Sequence, residues 1–377
     1  MFFSSLRISG FRNLADNEVF TGAKDVLLVG ENGQGKTNFL EALYFCAYAS
    51  SFRTIRDSEI ARNEIARNGE RDFSASVKLT QSVNDEIRVK FQKGKKSVFI
   101  NGKQAEDRRE LLSIAPTIVF CHEDMKFVSG SPECRRWFFD QTLSLYDPVY
   151  LEDLRRYRRV LKSRNTVLRD CVQRTHAQKT ADKKSTEQVL DALDPQLAEY
   201  GQKLMEKRAQ AALDFSAVFG PLYKEVSGIG GITVRYICSW KTDNTLDAMH
   251  SMLRERRSAD MAAGISLSGP HRDKYIFENA DGQEFSAKAS TGQRRLLALL
   301  LRTAQAKRFS QVTEQLPILL LDDVLLEMDG EKRRRFLSVL PAYDQAFYTF
   351  LPDEPYQNYC KDDTLIYTVK NGGVEKL

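Results

Sequence analysis

Long apolar runs are missing from this chain. Nowhere do about 18 uninterrupted apolar residues occur, so no segment reads as a membrane-spanning helix. The N-terminus, Met1-Phe-Phe-Ser-Ser-Leu-Arg-Ile-Ser9, has no basic stretch leading into an apolar one, which argues against a secretory leader. Cysteine is sparse and scattered: Cys46, Cys121, Cys134, Cys171, Cys238 and Cys360 include no C-x-x-C pair, and no histidine sits at a zinc-binding spacing. Neither a disulfide framework nor a metal knuckle is suggested, and the thiols read as reduced and mostly buried. Internal repeats and low-complexity tracts are also absent. The expected setting is the cytoplasm, with no membrane partner.

What is present is an ordinary globular composition, 42% hydrophobic and 28% charged over 377 residues, enough for a substantial core and two domains or lobes. The net charge of +5 is compatible with a nucleic-acid partner but becomes informative only where it clusters.

The strongest local signal is Gly30-Glu-Asn-Gly-Gln-Gly-Lys-Thr37, which fits G-x-x-x-x-G-K-[ST] at every fixed position. It follows the apolar run Asp25 to Val29 and precedes Asn38-Phe-Leu-Glu-Ala-Leu-Tyr-Phe45, as strand, phosphate loop and helix must be ordered. Glycines let successive N–H groups point into one concavity, and a helix N-terminus adds positive potential. Lys36 reaches the outer phosphates and the Thr37 hydroxyl can ligate Mg²⁺. The chain is therefore expected to bind a nucleoside triphosphate.

A second strand, Leu319-Leu-Leu, ends in Asp322-Asp323, a Walker B pattern. There Asp322 would hold Mg²⁺ and Asp323 would orient or deprotonate the attacking water. About 30 residues earlier, Ser290-Thr-Gly-Gln293 opens a helix. Taken alone it reads as an N-cap; its place ahead of the Walker B strand resembles the signature of ABC-type ATPases.

Around these motifs the texture divides in three. Residues 1–127 alternate short β-rich runs with the phosphate-loop helix, residues 128–261 are helical, and residues 262–377 return to α/β. The helical part reads as a hairpin whose tip, Arg174 to Glu187, is polar and aperiodic. The predicted class is α/β: a P-loop nucleotide-binding head split in sequence, with an inserted helical arm.

Further blocks narrow the resemblance. Phe11-Arg12-Asn13, the phosphate loop through Asn38, Gly130-Ser-Pro-Glu-Cys-Arg-Arg136 with Phe139-Asp140, Ser268-Gly-Pro-His-Arg-Asp273, Ser290 to Gln293, and Leu321-Asp-Asp-Val324 through Asp329 stand in the order seen in the RecF family. That family is the DNA-repair member of the SMC-like ABC ATPases, and the likeness spans nearly the whole chain. It implies an ABC-type head that binds ATP and Mg²⁺ through Gly30, Glu31, Asn32, Gly33, Gln34, Gly35, Lys36, Thr37, Asn38 and Arg12, with Thr37 and Asp322 on the metal. It also implies that Ser290, Gly292 and Gln293 reach the ATP of a second copy, so that ATP closes a homodimer. Lys36, Asp322, Asp323 and Ser290 would carry a weak, DNA-stimulated hydrolysis. The substrate implied is duplex DNA near single-strand/double-strand junctions, and the partners are RecR with RecO, which help load RecA. Departures from the family pattern are Lys274 after Asp273, Leu326 where a serine is usual before Asp329, and a switch strand, Phe347 to Leu351, without histidine. Thr349 is its candidate γ-phosphate sensor.

The run Arg155, Arg156, Arg158 and Arg159, continued by Lys162, Arg164 and Arg169, is the most concentrated basic stretch and the candidate DNA contact. Arg254, Arg256 and Arg257 form a weaker one. His271 is read either as a structural histidine or as one near the nucleotide, and Arg135 with Arg136 as a solvated helix start. Two other readings share the head: a transporter ATPase subunit, which would have a shorter helical part and a switch histidine, and an SMC-like tether, which would need a long coiled coil.

Overall fold

The computed structural model describes residues 2–62, 72–80, 86–107, 109–173, 179–241, 243–325, 328 and 330–377. The chain forms two compact units: the first is residues 1–124 with 299–377, the second residues 125–298.

In the first unit the two ends of the chain share one sheet. The unit's first segment supplies β1 (Phe3–Ser9), β2 (Asn17–Phe20), β3 (Asp25–Val29), β4 (Phe73–Leu79), β5 (Glu86–Gln92), β6 (Lys95–Ile100), β7 (Lys103–Gln104) and β8 (Thr117–Phe120). The second unit contributes β9 (Thr233–Ile237) and β10 (Lys274–Glu278), and the chain returns with β11 (Ile318–Leu321), β12 (Gln345–Phe350), β13 (Leu365–Lys370) and β14 (Gly373–Lys376). One sheet runs β14-β13-β3-β12-β11-β8, parallel except for β14. Every residue of β3, β8, β11 and β12 is buried, so these strands are apolar runs rather than alternating ones, as a sheet covered on both faces requires. Because β3 and β11 flank β12, the loops that follow all three strands leave the same carboxyl edge.

Helix α1 (Lys36–Tyr48) is buried along nearly its whole length, in a core shared with β1, β3, β4 and β5. The second sheet of this unit, β2-β1-β4-β5-β6-β7, is antiparallel and half-wet: in β5, Ile87, Val89 and Phe91 turn inward while Arg88, Lys90 and Gln92 alternate with them. One buried amide ties the two sheets. Gln345 on β12 accepts from the Phe3 N–H at 2.8 Å and donates to the carbonyls of Thr21 at 2.6 Å and Ala23 at 2.9 Å.

The second unit is mostly helix: the short α3 (Lys126–Ser129), then α4 (Pro132–Tyr146), α5 (Pro148–Gln173), α6 (Lys179–Ser227) and α7 (Leu246–Ala263), whereas the short α2 (Arg109–Ile114) belongs to the first unit. Helices α5 and α6 make the expected hairpin; residues 174–178 of its tip lie outside the described residues. Helix α6 continues through Pro195 and Pro221, where each proline removes a backbone donor. Sequence texture put the return to α/β at 262, whereas residues 262–298 group here with the helices. The physical reason is β10, which is paired along its length with β9 of the helical segment.

Two residues read as surface cations are held in an ion cluster instead, one in the core and one half-buried at its margin. Arg164 has no exposed surface; its guanidinium bonds Asp194 at 2.8 Å, Asp260 at 2.7 Å and Ser266 at 2.8 Å. Arg257 closes the cluster on Asp194 and Asp191, both at 2.8 Å. Removing one partner of such a pair strands a desolvated charge, which costs about 3–5 kcal/mol. Arg164→Leu is therefore expected to lower the urea-derived unfolding free energy of the second unit by that order, and a change near zero would mean the cluster is solvated.

Candidate nucleotide-binding site

The loop Gly30–Gly35 forms because glycine is needed at its two ends. A Cβ on Gly30 would lie 2.3 Å from the Val369 carbonyl oxygen, and Gly35 has φ 122°. Gly35 is also the N-cap of α1, and no side chain caps that helix. Its first N–H groups, with the positive end of the helix dipole, are thus left for an anion. Glu31, Asn32 and Gly33 form the exposed crest of the loop. The buried Lys36 Nζ is folded into the crook, donating to the Gly30 carbonyl at 2.6 Å and the Glu31 carbonyl at 3.2 Å.

At the same sheet edge the Walker B carboxylates meet two hydroxyls. Thr37 donates to Asp322 Oδ1 at 2.9 Å. Thr349, near the end of β12, lies 2.9 Å from Asp323 Oδ1 and 3.3 Å from Asp322 Oδ1, and accepts the Asp323 N–H at 2.7 Å. Asp323 itself sits at φ 51°, a strained conformation for a residue with a side chain. Burial, and then the neighbouring Asp323, push the Asp322 carboxyl up to about 7, against the pull of the Thr37 bond. An all-oxygen pair at the mouth of a phosphate loop suits Mg²⁺, which takes one or two protein ligands and completes its shell with phosphate oxygens and water. Thr37 and Asp322 fit that cation. Leu326 and Asp329, singled out in the sequence, lie outside the described residues.

Beside the loop a hollow of about 700 Å³ is lined by Arg12, Asn13, Gly33, Gln34, Asn38, Arg62 and Asn371, among others. Arg12 is fixed there by a two-pronged bond to Glu41, at 3.0 and 2.8 Å, and by the Glu59 carbonyl at 2.8 Å. Glu41 is fully buried on α1 and also receives Ser51 and Arg53. Asn38 donates to Asn13 at 2.7 Å and accepts from Arg53 at 2.7 Å. Of these, Asn13, Glu41, Arg53, Arg62 and Asn371 were not singled out as site residues. Each joins the site through a partner far away in sequence, so no local spacing marks it.

In the second unit, Ser290 and Gln293 form a reciprocal capping box at the start of α9 (Thr291–Thr313), which follows α8 (Phe285–Lys288). Ser290 Oγ accepts the Gln293 N–H at 3.2 Å and Gln293 Oε1 accepts the Ser290 N–H at 2.8 Å. Ser290, Thr291 and Gly292 are exposed. The other blocks of this unit singled out in the sequence build one buried polar knot. Arg208 binds Asp140 at 2.8 Å and the Pro270 carbonyl at 2.6 Å, Tyr150 donates to Asp140, and Arg136 reaches the Asp273 carbonyl at 2.6 Å. Arg135 bonds Glu284 at 3.1 Å and the Tyr275 carbonyl at 3.1 Å, so neither arginine is a solvated helix start.

On α5, Arg156 pairs with Glu152 at 2.9 Å and Arg158 with Asp140 at 3.2 Å. Arg155 is half-buried, and Arg159, Lys162 and Arg169 are exposed. Helical spacing puts Arg155, Arg159, Lys162 and Arg169 on one face.

His271 belongs to the knot. Its ring lies 2.8 Å from the Tyr157 hydroxyl through Nδ1 and 3.0 Å from the Ser266 carbonyl through Nε2. The carbonyl can only accept, so Nε2 carries the proton and Nδ1 accepts from Tyr157. Burial, with Arg272 and Arg136 nearby, lowers its pKa to about 4. The unfolded chain takes up this proton near pH 6.5 and the folded chain only near 4. The stability held above pH 6.5 is therefore lost as pH falls through that window, by about 2 kcal/mol at pH 5. Comparing pH-dependent melting of the wild type with that of His271→Gln should show a shallower acid-side loss in the variant, and parallel curves would contradict the assignment.

Three comparisons bear on this geometry. The family model described as the RecF/RecN/SMC N terminal domain matches residues 2–372. The "DNA replication and repair protein RecF" of Treponema pallidum is 41% identical over 96% of this chain and 97% of that protein, and its namesake in Clostridium perfringens is 31% identical over the full length of both. Among solved structures, a recombination mediator protein RecF-ATP of the RecFOR pathway superposes with a TM-score of 0.85 at 24% identity, covering 100% of this chain and 99% of its own. An SMC head bound to the C-winged helix domain of ScpA superposes with a TM-score of 0.55 at 17% identity, covering 100% of this chain and 97% of its own. With its split α/β head, its phosphate loop and its Walker B edge, the chain belongs to the RecF family of SMC-like ATPases.

Proposed function

We propose that the chain is an ATP-switched DNA clamp of recombinational repair and replication-gap processing, working in the cytoplasm. The observation that carries this reading is the set Thr37, Asp322, Thr349 and Asp323, hydrogen-bonded together beside an uncapped helix N-terminus. ATP phosphates would take the N–H groups of Gly33 to Thr37, and Lys36 would leave the Gly30 and Glu31 carbonyls for the outer phosphates. Mg²⁺ held by Thr37 and Asp322 would neutralise charge building on the β- and γ-oxygens. Asp323, steadied by Thr349, would align the attacking water and accept its proton, while Arg12 and Asn38 line the nucleoside side.

Ser290 and Gly292, exposed on a helix start, with the half-buried Gln293, would complete the site of a second copy and give two composite sites about a two-fold axis. ATP then holds the dimer shut on duplex DNA near single-strand/double-strand junctions, and slow, DNA-stimulated hydrolysis reopens it. The arm cations Arg155, Arg156, Arg158 and Arg159 are the first candidates for phosphate contact. The solved relative described as a recombination mediator in the RecFOR pathway supports a place beside RecR and RecO in loading RecA.

Lys36→Ala is expected to abolish hydrolysis and ATP-induced dimerisation, since phosphate charge loses its mobile cation; unchanged turnover in the folded variant would reject the phosphate-loop assignment. Asp323→Asn keeps the shape and removes the proton acceptor. Its turnover should fall by about 10²–10⁴-fold, and after dilution into competitor it should release DNA more slowly than wild type. Normal hydrolysis with wild-type release would remove Asp323 from the mechanism. Ser290→Arg should leave ATP binding to the monomer intact and block the dimer through steric bulk, which light scattering reads directly.

A further inference from the structure

The hairpin β5–β6 turns on Lys93-Gly94, with φ of 50° and 73°. A two-residue turn of this kind wants asparagine, aspartate or glycine first, and the next hairpin, β6–β7, uses Asn101-Gly102 at φ 51° and 77°. A lysine is disfavoured in the left-handed region by its own Cβ, so its presence at the turn tip calls for a reason other than folding.

The surrounding charge supplies one. Of five cations on this hairpin, two are committed to carboxylates: Arg88 to Glu86 at 2.8 Å and Lys96 to Asp57 at 2.6 Å. Lys90, Lys93 and Lys95 have no ion pair among the described residues, and all three line one hollow of about 580 Å³ with Ser97, Phe99 and Asp72. Asp72 already accepts the Lys93 backbone N–H at 3.1 Å. The Lys90 ammonium sits 5.6 Å over the centre of the Phe99 ring, which leaves that ring face taken and unsuited to stacking a base. In register across the sheet, Ser74, Lys90 and Ser97 stand side by side on β4, β5 and β6, a row of hydroxyl, ammonium and hydroxyl donors spanning about 10 Å. Such a row suits an extended chain of phosphates better than a single small anion, and it reads backbone rather than sequence.

We propose that this hollow is a phosphodiester site of the head, in which the backbone of duplex DNA seats phosphates against Lys90, Lys93 and Lys95. The inference rests on the duplex-binding reading above and adds a footprint separate from the arm. It predicts that DNA affinity is carried in part by a sheet face on which none of the nucleotide-site residues lies.

The test is duplex binding by the full chain with ATP, measured from about 50 to 200 mM salt. The triple variant Lys90→Ala, Lys93→Ala, Lys95→Ala should bind ATP as wild type does, and should lose about 0.9 from the log–log salt slope for each lysine that meets a phosphate. The triple arginine variant, which keeps charge, should retain the slope and shows that any loss is not misfolding. If wild type binds duplex and the alanine variant keeps the full slope, the hollow is not a DNA contact while the clamp reading stands. If wild type shows no duplex binding, both fail. A slope lost on single-stranded DNA alone would overturn the duplex assignment in favour of a single-strand site.

Discussion

Everything at the nucleotide site depends on two hydroxyls holding two carboxylates. Asp322 and Asp323 end a buried strand, where burial and the neighbouring carboxylate both penalise the Asp322 charge. Thr37 comes from the helix after the phosphate loop and Thr349 from the adjacent strand, so the hydrogen bonds that make this charge tolerable also join three segments far apart in the chain. A ligand that brings its own cation and phosphates must redraw those bonds. Under the proposed switch, a small chemical difference at the γ-position would be felt by β12 and by both Walker elements at once.

The same physics sorts the cations of the arm. A run of arginines invites a nucleic-acid reading, but a buried carboxylate will capture the nearest guanidinium whatever the sequence around it. Asp194 and Asp260 take Arg164, and Asp140 takes Arg208 and touches Arg158, whereas Arg156 makes only a surface pair with Glu152 one turn away. The blocks Gly130 to Asp140 and Ser268 to Asp273 make sense as parts of the knot that these pairs stabilise. His271, hydrogen-bonded at both ring nitrogens, is part of it.

The phosphate loop and Walker B strand were legible in the sequence because each writes its chemistry in one short window, and a parallel sheet then carries both windows to one edge. The split head was legible for a related reason: strands of the β3 kind are continuous apolar runs, which stand out against alternating ones. Arg164 was not, since its partners lie 30 and 96 residues away and nothing local distinguishes a buried arginine from its exposed neighbours. Glu41 and Arg53 escaped for the same reason. The placement of residues 262–298 was missed because β10 looks like any strand of an α/β half, and only its pairing with β9 shows which unit it serves.

The central claim is that nucleotide state, read through the Thr37–Asp322–Thr349–Asp323 set, decides whether the chain holds DNA. Equilibrium binding of one labelled duplex by the wild-type chain, with ATP, with ADP and without nucleotide, tests it most directly. Tight binding with ATP alone is the result expected. Equal affinity in all three conditions would contradict the account, whatever the residues at the sheet edge do to ATP.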